Sequence, residues 1–252
     1  MLRYTTNILI FFVVFTGFSQ SKPIDTSPMD TVVYEQKYGL RVGIDLSRPL
    51  VSFLQDNYTG LEFAGDYRLT QKLYAAAELG TEKKTKQEDL YNFTTSGSYL
   101  KLGVDYNTYA NWYGEQNSIF IGGRYAFSTY GQTLNNYQIF GSNRYWHPDS
   151  FAPGSDVAQE FKGRNASWLE FVVGTKVELF ANIYMGGSVR LGFLFTDPDK
   201  EGTFPDLFIP GFNKVTDGSR FGVGYNYSLT YFIPLYKKAK KPKIEPGENT
   251  EE

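Results

Sequence analysis

No cysteine occurs in the 252 residues, and histidine occurs once, as His147. The first absence excludes disulfides, thiolate nucleophiles and the lipid-modified N-terminus of a bacterial lipoprotein. A single histidine with no cysteine leaves a transition-metal centre without a ligand set. Asp197, Asp199 and Glu201 lack the spacing of a calcium loop, and no glycine-rich phosphate cradle is present, so neither metal nor cofactor is expected. Surplus charge is missing too: the formal net charge is −2. That provides no basic field for nucleic acid. Beyond the first twenty residues no apolar run approaches the roughly eighteen that a transmembrane helix requires.

What is abundant is aromatic and small: 20 Tyr, 21 Phe and 25 Gly. That mixture favours strands and tight turns over helices. The start of the chain is different in kind. Arg3 precedes an apolar stretch from Ile8 to Phe18, too short to cross a bilayer as a helix. It reads as the core of a secretory signal peptide, with Gly17 and Ser19 placed for cleavage before Gln20. The expected organisation is a signal peptide over 1–19, a polar segment over 20–36, one β-domain over 37–236 and a tail over 237–252. That tail opens on Lys237, Lys238, Lys240, Lys241 and Lys243 and then turns acidic, a composition expected to stay disordered on the periplasmic side.

Between residues 37 and 236 the apolar residues recur with period two in eight segments. Tyr38, Leu40, Val42, Ile44 and Leu46 alternate with Gly39, Arg41, Gly43 and Asp45. Leu61, Phe63, Tyr67 and Leu69 oppose Glu62, Ala64, Asp66 and Arg68, and Leu73, Ala75, Ala77 and Leu79 oppose Tyr74, Ala76, Glu78 and Gly80. The same alternation runs through 100–107, 119–128, 169–179, 185–195 and 221–233. Each segment is close to the length that a tilted strand needs to cross a membrane.

Alternation alone allows two arrangements. A soluble sandwich turns its apolar face inward; a membrane barrel turns it to lipid and lines its lumen with polar residues. Here the polar face is rich in glycine and other small residues, which suits a crowded interior and weakens a solvent-facing strand. The connectors also alternate in length. Thr70–Lys72, Tyr109–Asn117 and Ala181–Asn182 are short; Glu88–Gly97, Gly131–Asn165 and Asp197–Gly218 are long, with a modest Ser47–Tyr58. Trp112, Tyr113 and Tyr236 fall near strand ends, where aromatic rings suit the lipid–water boundary. The fold expected is therefore all-β: an eight-stranded antiparallel transmembrane up-and-down barrel, with short periplasmic turns and long extracellular loops.

The leader ending Gly17-Phe18-Ser19-Gln20, the hairpin Asp66-Tyr67-Arg68-Leu69-Thr70-Gln71-Lys72-Leu73-Tyr74 and the closing strand Tyr225-Asn226-Tyr227-Ser228-Leu229-Thr230-Tyr231-Phe232 resemble the small outer-membrane barrels of the Bacteroidota, an OmpA/OmpX-like architecture. The likeness spans residues 1–236 and implies an outer-membrane location. It is specific to architecture rather than activity. Such barrels end on a terminal aromatic, whereas here sixteen residues follow Tyr236. An assembly signal would then be internal, ending at Phe232 or Tyr236.

The inward positions carry six cations, Arg41, Arg68, Lys101, Arg124, Lys176 and Arg190, and seven anions, Asp45, Glu62, Asp66, Glu78, Asp105, Glu170 and Glu178. Charges in a narrow lumen are costly unless paired, and eight strands leave room for side chains rather than a pore. A salt-bridged plug is expected. His147 lies beside Asp149 and Ser150, but a triad is made by geometry, not by adjacency, so no enzyme is expected. The long loops carry Tyr145, Trp146, His147, Phe151, Phe204, Phe208 and Phe212, aromatics dense enough to pack together or to bind a partner. The reading is a non-enzymatic barrel that serves a larger outer-membrane complex, such as insertion or uptake machinery. Its expected partners are membrane lipid, lipopolysaccharide and other outer-membrane proteins or lipoproteins, and no nucleic acid. A small channel or ligand-binding barrel, and a lipid-modifying enzyme at the rim, stay open as alternatives.

Overall fold

The computed structural model describes residues 35–109, 116–139, 152–196, 207–214 and 219–239. These form nine antiparallel strands and one helix: β1 (Glu35–Asp45), α1 (Ser47–Leu54), β2 (Tyr58–Arg68), β3 (Leu73–Gln87), β4 (Tyr91–Asn107), β5 (Ser118–Ile139), β6 (Ala152–Ser155), β7 (Gln159–Phe180), β8 (Ile183–Leu194) and β9 (Phe221–Ala239). Eight of them close a ring in the order β4-β3-β2-β1-β9-β8-β7-β5, with β4 returning to β5. The short β6 adds to the upper end of β5 only. The fold is thus all-β, and the eight period-two segments are its eight wall strands.

The wall has two ends. At one lie the short turns 69–72 and 181–182, together with the outer ends of β1 and β9. There the ladder runs a little past the expected 37–236 bounds, through Lys37↔Lys237 and Gln36↔Lys238 to Glu35↔Ala239. Asn182 takes φ 67° in the two-residue β7–β8 turn, a conformation that asparagine tolerates better than most residues. At the other end the strands overshoot. β5 and β7 have 22 residues each, twice the roughly 9–11 that a crossing requires.

Two of the expected long loops are therefore largely strand. The connector 88–97 shrinks to a tight turn before Tyr91, and 131–165 is strand at both ends. The extensions of β4 and β5 carry no apolar period-two signal because their buried positions mix polar with apolar side chains: Thr95 and Gln132 are as buried as Phe93 and Leu134. The modest connector 47–58 holds a helix. Asp45 accepts hydrogen bonds from the Ser47 N–H (2.9 Å) and Ser47 Oγ (2.6 Å), which satisfies a donor that the first helical turn leaves unpaired. Pro49 in that first turn loses no intrahelical bond.

Burial follows the strand period with the faces exchanged relative to a soluble protein. On β3, Tyr74, Ala76, Glu78, Gly80 and Glu82 are buried while Leu79 stands 56% exposed. Outside, Phe63, Leu102, Tyr125, Phe171 and Val189 form part of a continuous exposed apolar belt. Inside, Glu62, Glu78, Lys101, Asp105 and Arg124 are nearly inaccessible. Tyr38 departs from the expected outward set. A register shift follows it on β1, and its ring is buried between Tyr236, stacked at 5.3 Å, and the Arg68 guanidinium at 4.8 Å.

Candidate functional site

The lumen holds three stacked layers of charge, positioned by inward residues on every wall strand. Nearest the short turns, Arg41 on β1 donates to Asp66 on β2 (Nε to Oδ1, 2.7 Å), and Lys176 on β7 reaches the other oxygen of Asp66 at 2.6 Å. The Arg41 guanidinium also lies over the rings of Tyr74 and Tyr184, at 4.9 and 5.3 Å. A guanidinium desolvated between aromatic faces keeps part of its stabilisation through the ring quadrupoles.

The middle layer is centred on Glu78. Arg190 grips it with both terminal nitrogens, one of them at 3.0 Å. Arg124 reaches the same carboxylate at 3.4 Å and donates to Asp105 at 2.9 Å. Lys101 pairs with Glu170 at 3.0 Å, and Glu170 also accepts from the Trp168 indole at 2.7 Å. Buried charges are tolerated only where such pairing replaces the lost water.

The third layer lies at the loop end and contains residues that the strand pattern left out. Arg48, the second residue of α1, turns inward and meets Glu82 at 2.8 Å, with Asp45 and Glu62 each at 3.8 Å. One cation thus faces three carboxylates. Neutral donors make up the difference. Tyr99 Oη donates to Glu62 at 2.5 Å, and Asn226 donates to Asp45 and Glu62 at 2.7 and 2.8 Å. The backbone N–H of Gly211 donates to Glu82 at 3.1 Å. Glu82 was within reach of the sequence, since it continues the inward parity of Glu78 and Gly80. Arg48 was not, because a helix inside an expected loop changes the period.

Two residues of the expected network stand apart from its ion pairs among the described residues. Arg68 ends β2, so its guanidinium spends its donors at the rim, on the carbonyls of Lys37 (3.0 Å) and Thr70 (3.2 Å) and on Gln36 Oε1 (2.8 Å). Glu178 sits beside the β7–β8 turn, where it accepts from the Asn182 N–H (3.1 Å) and Tyr184 Oη (3.2 Å).

Of the aromatic loop residues, Tyr145, Trp146, His147, Phe151 and Phe204 lie outside the described residues, as do Trp112 and Tyr113. Phe208 is half-buried, with the Lys84 ammonium 5.2 Å from its ring centre. Of the two roles open to these aromatics, packing together or binding a partner, Phe212 takes the first: it is 2% exposed and points into the barrel. Its ring lies 5.5 Å from Trp168, in a cluster with Tyr99, Tyr130, Leu194 and Ile209 that caps the charged layers. The ring fits because Gly192 and Gly222 have no side chains: a Cβ on either would come within 3 Å of it. Gly211, at φ +83°, turns the chain back with its Cα against the Tyr99 ring. An apolar ring escapes water by entering the mouth rather than staying in the loop, and so this segment closes the loop end of the lumen.

Below the cap a cavity of about 40 Å³ remains between Asp66, Glu78, Arg124, Lys176 and Arg190. That is space for a few waters, not for a ligand. The arrangement holds an interior shut by paired charge under an apolar cap.

A search of curated proteins returns no match. Among solved structures there is a distant likeness to the crystal structure of Ail, the attachment invasion locus protein of Yersinia pestis. It has 7% identity and a TM-score of 0.38, and covers 80% of this chain and 99% of that one. A family model matches residues 1–238. The chain belongs to the family described as a domain of unknown function, DUF6048.

Proposed function

We propose that this protein is a closed, non-enzymatic β-barrel of the bacterial outer membrane, exported by its N-terminal segment. In this reading it is a structural or accessory subunit of a larger outer-membrane complex. The observation that carries the membrane reading is the exchange of faces. Leucine, valine, phenylalanine and tyrosine stand exposed around the wall while arginine, lysine, aspartate and glutamate are sealed inside. In water each half of that arrangement is unfavourable; in lipid the outer belt is solvated by acyl chains, and the closed ring of strands pairs most of the wall's backbone groups.

An accessory role is supported by where the chain invests its length. The lumen is filled, and the polypeptide beyond the membrane height goes into the β5–β7 extension and the loop side. Lipid and lipopolysaccharide would contact the wall, and outer-membrane proteins or lipoproteins would contact the loops. The test is purification from native membranes in mild detergent, reading the gel shift with and without boiling and the co-purifying proteins. A heat-modifiable band with a reproducible partner set is expected. Trp146→Ala with Phe208→Ala should deplete the partners while the gel shift persists. Recovery of the protein in the soluble periplasmic fraction, or a partner set unchanged in the double variant, would count against the reading.

A further inference from the structure

Helix α1 stands where the barrel wall is incomplete. β1 ends at Asp45, opposite Ser228, but β9 continues from Ser228 to Phe221, and β2 begins at Tyr58, above its first β1 partner. The upper wall between β2 and β9 therefore lacks a strand. α1 occupies that place: the Leu46 N–H still bonds the Tyr227 carbonyl (2.6 Å), and Ser52 Oγ accepts from the Gly60 N–H (2.8 Å). Its polar side faces the lumen through Arg48.

The other side carries Leu50, Phe53 and Leu54, at 56%, 86% and 70% exposure. Positions i, i+3 and i+4 form one stripe on a helix. No charge interrupts the helix from Pro49 to Leu54, and the polar Gln55, Asp56 and Asn57 follow at once. On both flanks the outward residues are apolar and exposed: Leu61 and Phe63 on β2, Tyr225 and Tyr227 on β9. The stripe thus continues the belt across the gap that β1 leaves.

We propose that the Leu50–Phe53–Leu54 face of α1 is embedded in the acyl chains of the loop-side leaflet, where it replaces the missing upper part of β1 as membrane-facing wall. Lipid is the occupant the surface fits, because the face is uncharged, is flanked by belt residues and ends on a polar segment at the depth where headgroups begin. Short amphipathic helices bind at this boundary through their buried apolar area. The inference rests on the membrane-barrel reading.

The absence of cysteine makes the test direct. Single variants Phe53→Cys, Leu102→Cys and Val157→Cys of the full chain are labelled with an environment-sensitive fluorophore and placed in phosphatidylcholine bilayers. Leu102 is a mid-belt control on β4, and Val157, 74% exposed between β6 and β7, is a control on the loop side. The label at position 53 should be quenched by bromines on the acyl chains several-fold more than the label at 157, and protected from aqueous iodide like the label at 102. Iodide quenching at 53 that matches 157 overturns the proposal, as does protection from both quenchers, which would mean that a protein covers the helix. Failure of lipid quenching at 102 itself would instead overturn the membrane-barrel reading. Leu54→Cys substitutes if Phe53→Cys loses the heat-dependent gel shift.

Discussion

Arg48 Nη1 lies 2.8 Å from Glu82 Oε1, which ties a helix in the first loop to β3, the strand on the far side of its neighbour β2. This guanidinium is the cation that Asp45, Glu62 and Glu82 share. Removing one partner of a buried ion pair leaves an uncompensated charge and commonly costs about 3–5 kcal/mol. Arg48→Ala should therefore lower the urea midpoint for loss of the compact band on unboiled gels by more than Glu82→Gln does. Equal, small effects from the two substitutions would show that the neutral donors Tyr99 and Asn226 suffice.

Phe212 and the glycines that admit it should behave as one unit. Phe212→Ala removes a buried ring, a change that costs about 3–5 kcal/mol in packed interiors, and Gly222→Ala should expel the same ring by collision. Because either change alone vacates the pocket, the double variant should be no less stable than the worse of the singles. Additive losses in urea unfolding would refute this coupling.

A lumen filled by paired charge should conduct nothing steadily. In planar bilayers the protein is expected to give no reproducible open-channel current, and Phe212→Ala should not create one, because the layers around Glu78 and Asp66 remain below the cap. Stable currents that change size on neutralising Arg124 or Glu170 would establish a pore.

Lys176 and Arg41 share Asp66, at 2.6 and 2.7 Å, so losing one leaves the carboxylate with a charged partner. Lys176→Met is expected to destabilise the barrel less than Arg41→Met, since Arg41 is the more buried cation. Urea midpoints of the two variants decide the order.

The barrel was legible in the sequence because strand side chains alternate strictly, so a wall between lipid and a polar lumen prints its two faces residue by residue. That same parity placed Arg41, Glu62, Asp66, Glu78, Lys101, Asp105, Arg124, Glu170, Lys176 and Arg190 on the inward side. What parity cannot express is reach. Arg68 and Glu178 share it, yet near the ends of their strands they bond to turn and rim groups. Nor does parity extend where the pattern changes: α1 brings Arg48 to the mouth from a stretch with a helical period, and the buried positions in the extensions of β4 and β5 mix Thr95 and Gln132 with Phe93 and Leu134. Phe212 was a loop aromatic until closure of the ring placed Gly192, Gly222 and Trp168 around one pocket. Local periodicity determined which residues line the wall and the lumen. Only the closed tertiary structure decided which charges meet, and which loop residues fold back to cap them, because those contacts join positions far apart in the chain.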